Sequence, residues 1–162
     1  MSADTLTQIA SRGDFHDAVR AALAMAAEQG ASEIFLVDPH FDDWPLNDRG
    51  VIESLERWAT SRRRMVVFAH DFDEMARRAP RFAAWRRQWS HIVQCRSDPE
   101  LEEAQVPTML FVPGMLGVRL LDRVRYRGTM SGRPADHVEC RETIDALLQR
   151  STEGFPATTL GL

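Results

Sequence analysis

The sequence predicts an α/β fold, a three-layer domain with a mixed sheet, and three observations lead to this class. Helical and strand periodicities alternate along the 162 residues without repeats or low-complexity tracts. Short runs of β-branched and aromatic residues are bounded by turn residues, as buried strands are. The second half changes to closely spaced strands around Pro113-Gly114, followed by a closing helix. We expect a single domain over 1–162, with tails at 1–12 and 155–162.

The first half of the chain supplies two strands and two helices. Asp14 is placed to cap a first helix that Gly30 ends. Residues 33–37 (EIFLV) then read as a buried strand. Apolar residues recur at helical spacing over about 49–61, and residues 65–69 (MVVFA) form a second buried strand.

The second half is rich in short strands. Trp85 and Trp89 lie in an arginine-rich segment that predicts two short helices divided near Pro80. The remaining predicted elements are strands over about 91–96, 108–112, 117–121 and 126–130 and a helix over about 135–150.

Composition excludes several kinds of chemistry. All twenty basic residues are arginines, so mechanisms that need a catalytic lysine, such as P-loop phosphoryl transfer and pyridoxal chemistry, are excluded. Cys95 and Cys140 predict buried reduced thiols rather than a disulfide framework. No signal peptide and no apolar run of about 20 residues is visible, so we expect a cytoplasmic protein without membrane association. We expect no cofactor.

Two acidic loops contain the most suggestive side chains. Asp38, His40 and Asp42 follow the first predicted strand, and His70 and Asp71 follow the second. Open α/β sheets bind ligands at the carboxyl ends of their strands, so the two loops are candidate ligand-binding segments. Carboxylate and imidazole ligands suit Zn²⁺ or Mn²⁺, which makes Asp38, His40, His70 and Asp71 candidate metal ligands. Helix capping and local packing are the competing interpretation, and the sequence assigns no metal site.

The order of elements from Phe15 to Phe155 resembles one half of a phospholipase D-like domain. The segments DFDEMARR (Asp71 to Arg78) and WSHIVQCR (Trp89 to Arg96) are also similar to a bacterial group of unknown function with a motif-less single half of this fold.

The resemblance implies a degenerate active site. The family carries a His-x-Lys-x4-Asp motif on a late hairpin, and Val106, Thr108 and Pro113 stand at the three motif positions here. Valine and threonine neither attack phosphorus nor stabilise its charge, so we predict no catalytic residues. Because authentic sites of the family combine two halves, the resemblance also implies a homodimer.

Arginine-rich regions give two further hypotheses. Arg119, Arg125 and Tyr126 lie near the hairpin that would line the family's cleft and are candidate ligands for a small anion. Edge-strand charges that discourage aggregation are the competing interpretation. The Arg77 to Arg87 region, together with Trp85 and Trp89, has the composition of a nucleic-acid surface. The acidic net charge of −4 and the inward spacing of the tryptophans oppose that interpretation, so we do not expect nucleic acid as a partner.

The sequence therefore predicts a non-catalytic binding or regulatory module that holds a small anion or a protein partner. A metal-dependent hydrolase or phosphoesterase that uses the two acidic loops is the alternative.

Overall fold

The computed structural model describes residues 5–155 and contains one eight-stranded mixed sheet. The strands are β1 (Leu6–Ile9), β2 (Glu33–Val37), β3 (Arg64–Phe68), β4 (Val93–Ser97), β5 (Thr108–Val112), β6 (Leu116–Asp122), β7 (Arg127–Ser131) and β8 (Thr152–Glu153). The helices are α1 (Arg12–Gln29), α2 (Arg49–Trp58), α3 (Met75–Arg78), α4 (Pro80–Gln88) and α5 (Pro134–Gln149), with a 3₁₀ turn at Glu103–Gln105.

The sheet joins a parallel half to an antiparallel half. Its strand order is β1-β7-β6-β5-β2-β3-β4-β8. Strands β2, β3 and β4 run parallel, whereas β5 pairs antiparallel with β2 and begins the β5-β6-β7-β1 side. The predicted α/β class with a mixed sheet is confirmed. The carboxyl ends of β2 and β3 therefore lie beside the beginning of β5.

Helices cover both faces of the sheet. Ile34 and Leu36 of β2 pack into the same core as α1, α2 and α4, whereas Phe35 and Val37 pack with Cys140 and other residues of α5. Alternate side chains of one strand thus enter two separate cores. This explains why β2 is apolar at every position after Glu33 rather than at every second one.

Helix α1 begins one turn before the residue that the sequence suggested. Ser11 is its N-cap: the Ser11 hydroxyl accepts from the Asp14 amide at 3.0 Å, and the Asp14 carboxylate accepts from the Ala10 amide at 3.0 Å. This reciprocal pair satisfies two free amide groups at the start of the helix. Gly30 ends α1 with a left-handed φ of 69°, as predicted.

The chain ends differ from the predicted tails. Residues 6–9 form β1 against β7, so this part of the predicted N-terminal tail belongs to the sheet. Phe155 stacks on Phe72 with ring centroids 5.4 Å apart. The rest of the predicted C-terminal tail lies outside the described residues, as does the proposed docking of that tail.

The described part of the chain exposes few large apolar side chains. Leu121, Val124 and Val138 are the large hydrophobic residues that are exposed within residues 5–155. No helix in this part of the chain is long and apolar enough to cross a bilayer.

Candidate functional site

Asp38 is the buried polar residue at the carboxyl end of β2. Its carboxylate accepts from the amides of His40 and Phe41 at 3.1 and 2.8 Å and from the Thr108 hydroxyl at 2.5 Å. Asp38 is 6% exposed. The two carboxylate oxygens of Asp38 thus accept three hydrogen bonds, as a buried carboxylate requires. Two of these bonds come from amides of the loop, so Asp38 fixes the conformation of the loop.

His40 links the two acidic loops to a third segment. Its Nδ1 lies 3.0 Å from an Asp71 carboxylate oxygen, and its Nε2 lies 2.8 Å from Glu103. The His70 ring lies edge-on to His40 at 5.8 Å, and the His70 Nδ1 lies 3.0 Å from the Leu101 carbonyl oxygen. The structure thus brings together His40, His70 and Asp71, as the strand order predicts.

The neighbours of His40 favour its charged form. Burial of the ring lowers the pKa of His40, but the hydrogen bond to Glu103 and the charges of Asp71 and Glu103 together outweigh it. The net pKa of His40 is therefore raised above its ordinary value.

A cavity of about 350 Å³ opens beside this cluster, and we call it the carboxyl-end cavity. It is lined by Phe15, Asp38, Pro39, His40, Asp42, Asp43, Trp44, Glu103, Thr108, Leu120, Arg123 and Tyr126. Its volume is typical of a small-molecule site, and its position at the carboxyl ends of parallel strands is where α/β folds bind ligands.

One residue that lines this cavity, Tyr126, and one between two lining residues, Phe41, have strained backbones. Phe41 has φ 56° and Tyr126 has φ 55°, and among the described residues these are the non-glycine positions with positive φ. Tyr126 lines the cavity, and the Phe41 ring packs on Trp44 at 4.9 Å. Aromatic residues rarely adopt this conformation, and such strain concentrates at ligand sites.

Aromatic rings form one wall of the carboxyl-end cavity. Phe15 contacts Trp44 edge-on at 5.4 Å and Tyr126 at 6.2 Å. Trp44 is 8% exposed, and its indole Nε1 is buried without a hydrogen-bond partner within residues 5–155. A buried donor without an acceptor is unfavourable unless a ligand or water satisfies it.

The lining also contains acidic side chains. Four carboxylates line the cavity, against Arg123 and His40, whose neighbours favour its charged form. Asp43 is paired with Arg12 at 2.8 Å, and the Arg123 guanidinium donates to the Val106 carbonyl at 2.5 Å. Asp42 is exposed. The lining therefore favours a neutral or cationic ligand over an anionic one.

The arrangement does not resemble a metal centre. The Asp38 oxygens accept three protein hydrogen bonds, and both ring nitrogens of His40 face carboxylates. Within residues 5–155, no three His, Cys, Asp or Glu side chains are placed to hold a metal ion together. The geometry gives the metal-dependent alternative no support.

The three residues of the predicted anion site do not converge. Arg119 pairs with Asp136 at 3.1 Å and with Glu139 at 2.8 Å. Arg125 is exposed, whereas Tyr126 lines the carboxyl-end cavity. The guanidinium of Arg119 is thus occupied by carboxylates of α5 and is not available as an anion ligand at the cavity.

Both thiols are inert in this environment. Cys95 and Cys140 are buried and free, as predicted. Burial raises the pKa of each to about 11, so neither is a thiolate at neutral pH.

Sequence reasoning missed several cavity residues. Phe15, Trp44 and Glu103 come from three separate segments and carry no shared motif. Trp44 follows Asp42-Asp43, and its closeness to the acidic loop was the one available signal. Phe15 and Glu103 reach the cavity through tertiary contacts that local sequence does not encode.

The fold and site together define an α/β domain with a ligand-sized cavity at the carboxyl ends of its parallel strands. No family model matches the chain, and no curated protein matches it in sequence. The chain is similar in structure to TrmBL2, an archaeal chromatin protein described as showing a novel mode of DNA binding. The TM-score is 0.62 at 11% identity, and the match covers 94% of this chain. It covers 55% of TrmBL2, so this chain spans about half of that protein's length.

These comparisons correct two predictions. The interpretation as a degenerate phospholipase D-like half-domain is wrong, because no family match supports it and the chain is instead similar in structure to TrmBL2. The homodimer prediction loses its basis with it, since helices cover both sheet faces. The expectation that nucleic acid is not a partner is also overturned: this fold occurs in a DNA-binding protein.

Proposed function

We propose that this domain is a non-catalytic ligand-binding module and that its ligand occupies the carboxyl-end cavity. The observation that carries the proposal is that two residues lining one cavity are unfavourable in the empty protein: Tyr126 has a strained backbone, and Trp44 has an indole Nε1 without an acceptor. Strain and an unpaired donor each destabilise the empty protein, and a ligand that holds Tyr126 in place and provides an acceptor for the Trp44 indole would offset both.

The lining defines the class of ligand. Trp44 offers a donor and an aromatic face, and Asp42, Asp43 and Glu103 offer acceptors. A small neutral or cationic organic molecule with several hydrogen-bond donors fits this combination. The same carboxylates repel phosphate and carboxylate ligands, so the small anion expected from the sequence does not suit this cavity.

The indole N–H of Trp44 provides a direct test. We would record its ¹H–¹⁵N resonance, assigned by comparison with Trp44→Phe, against panels of polyols, amines, carboxylates and phosphates. A polyol or amine should shift this resonance downfield as the N–H gains an acceptor, and Glu103→Gln should weaken binding. Glu142→Gln on α5 is the matched control and should bind as the unmodified protein does. Binders that perturb other surfaces and leave Trp44 unchanged would contradict the proposal.

DNA binding is a second candidate function, favoured by the likeness to TrmBL2 over 94% of this chain. The arginine-rich helices supply the surface: Arg81 and Arg87 are exposed on α4. Trp85 is 2% exposed and is not available for stacking on bases. Any contact with DNA would therefore be electrostatic, through arginine and phosphate groups.

Fluorescence anisotropy on a labelled duplex at several salt concentrations tests this function. If DNA is bound through its phosphates, log Kd should rise linearly with the logarithm of the salt concentration. Arg81→Gln and Arg87→Gln should each reduce the slope of this line by about 1. Arg133→Gln, at the start of α5, is the matched control. Absence of binding at low salt would reject DNA binding.

A further inference from the structure

Arg86 of α4 is a buried charge without a counter-ion. The residue is 3% exposed, and its Nη2 donates to the Phe155 carbonyl at 2.9 Å. Its Nε and Nη1 are buried with no hydrogen-bond partner among the described residues. Arginine does not lose its proton in proteins, so the positive charge persists in this environment. Burying an unpaired charge is strongly unfavourable, which makes the missing partner significant.

Arg86 is among the residues that line a second cavity. It measures about 360 Å³, lies beside β4, and is lined by Arg86, Ser90, Val93, Gln94, Cys95, Arg96 and Glu153. We call it the β4-edge cavity. It is separate from the carboxyl-end cavity, with which it shares no lining residue.

The second arginine of the β4-edge cavity also lacks a carboxylate partner. Arg96 donates from Nε to the Ser151 hydroxyl at 3.0 Å and from Nη2 to the Ser151 carbonyl at 2.7 Å. Within residues 5–155, no carboxylate oxygen lies within 4.0 Å of the nitrogens of Arg86 or Arg96. Two arginines that carboxylates do not neutralise thus line one cavity.

The remaining polar side chains complete a site for negative charge. Ser90 and Gln94 offer neutral donors, and Glu153 supplies the one carboxylate of the lining. Glu153 is exposed on the two-residue strand β8, where its side chain forms no ion pair with a described residue. The lining therefore has a net positive charge, whereas the chain as a whole has a net charge of −4.

We propose that the β4-edge cavity binds a small oxyanion, with Arg86 as its principal counter-ion. Guanidinium groups hold phosphate and carboxylate oxygens through paired N–H donors, and Arg86 has two N–H-bearing nitrogens without an acceptor. The cavity volume suits an inorganic or organic phosphate or a small dicarboxylate. The site is independent of the proposed function of the carboxyl-end cavity.

Thermal unfolding of the full chain with added oxyanions tests the proposal. Inorganic phosphate, glycerol phosphate and succinate are the probes, and their relative effects distinguish a phosphate from a carboxylate ligand. At least one should raise the Tm in a saturable manner, because a ligand that binds the folded state stabilises it. Arg86→Met should abolish this shift. Arg87→Met, the exposed neighbour on α4, should retain it.

Glu153→Gln provides a variant that should gain affinity. Loss of the one negative charge in the lining should tighten oxyanion binding about fivefold, as expected for a like charge removed at close range. Isothermal titration with the best probe measures this change and does not depend on the folding of Arg86→Met.

Three results would overturn the proposal. The first is that none of the three probes shifts the Tm, even when its concentration is roughly ten times a Kd of about 1 mM. The second is an equal shift in Arg86→Met and the unmodified protein. The third is stabilisation by an oligonucleotide but by no small oxyanion, which would assign the charge to a nucleic-acid surface. None of these results bears on the indole test at Trp44, so the two proposals fail separately.

Discussion

The two cavities of this protein carry opposite charge, and they differ in how that charge is balanced. In the carboxyl-end cavity, Asp38 accepts three hydrogen bonds, Asp43 pairs with Arg12, and Glu103 pairs with His40. In the β4-edge cavity, Arg86 has one carbonyl acceptor for a full charge. Charged groups that are paired within the protein stabilise the fold. A buried charge without a partner within the protein indicates instead that a bound ligand neutralises it.

Removal of the balanced charge at Asp38 should have the largest effect. Asp38→Ala leaves two amides and the Thr108 hydroxyl without their acceptor, so the free energy of unfolding should fall by about 3 kcal/mol. Urea denaturation measures the change. Asp42→Ala, four residues along and exposed, should change stability by less than about 0.5 kcal/mol. Equal effects of the two variants would show that Asp38 does not organise the loop.

Removal of the unbalanced charge at Arg86 should have the opposite sign. In buffer without oxyanions, Arg86→Met should leave the free energy of unfolding unchanged or raise it by about 1 kcal/mol, because the desolvated charge is gone. Arg87→Met serves as the control and should be neutral. A loss of several kcal/mol in Arg86→Met would mean that the protein itself balances this guanidinium, and the contrast between the cavities would disappear.

The smallest expected effect is the contribution of His40 to the pH dependence of the free energy of unfolding. Its folded-state pKa is raised, so its contribution to stability is complete below the unfolded-state value of about 6.5 and is lost as pH rises through the folded-state pKa. His40→Gln should remove this part of the pH dependence, measured as the difference in unfolding free energy from the unmodified protein.

NMR titration of the His40 ring gives the same information directly. Glu103→Gln should lower the pKa of His40, since Glu103 contributes both a hydrogen bond and a charge. Glu142→Gln should leave that pKa unchanged. An identical His40 pKa in all three proteins would show that Glu103 does not hold the ring in solution.

Strand positions were predictable because their residues are apolar without interruption. The predicted 33–37 and 108–112 coincide with β2 and β5, and 65–69 is displaced by one residue from β3. Both faces of these strands are buried, so local composition alone identifies them. Residues 6–9 were missed because β1, an edge strand with two exposed positions, has no such composition.

The candidate site was predictable in part. The strand order implied that the loops after β2 and β3 meet, and His40 and Asp71 do so at 3.0 Å. Asp38 was predicted to be available to a ligand, but its oxygens already accept hydrogen bonds from the loop amides and from the Thr108 hydroxyl. The chemical type of a side chain does not reveal whether its hydrogen-bonding capacity is already used.

The sequence by itself determined the α/β class, the absence of lysine chemistry and the location of the acidic loops, because these depend on composition and on periodicity along the chain. Tertiary structure decided which charges are balanced. Asp38 meets Thr108 across 70 positions of the chain, and Arg86 meets the Phe155 carbonyl across 69. Such contacts arise when the sheet assembles, so the balance of charge in each cavity is a property of the folded molecule.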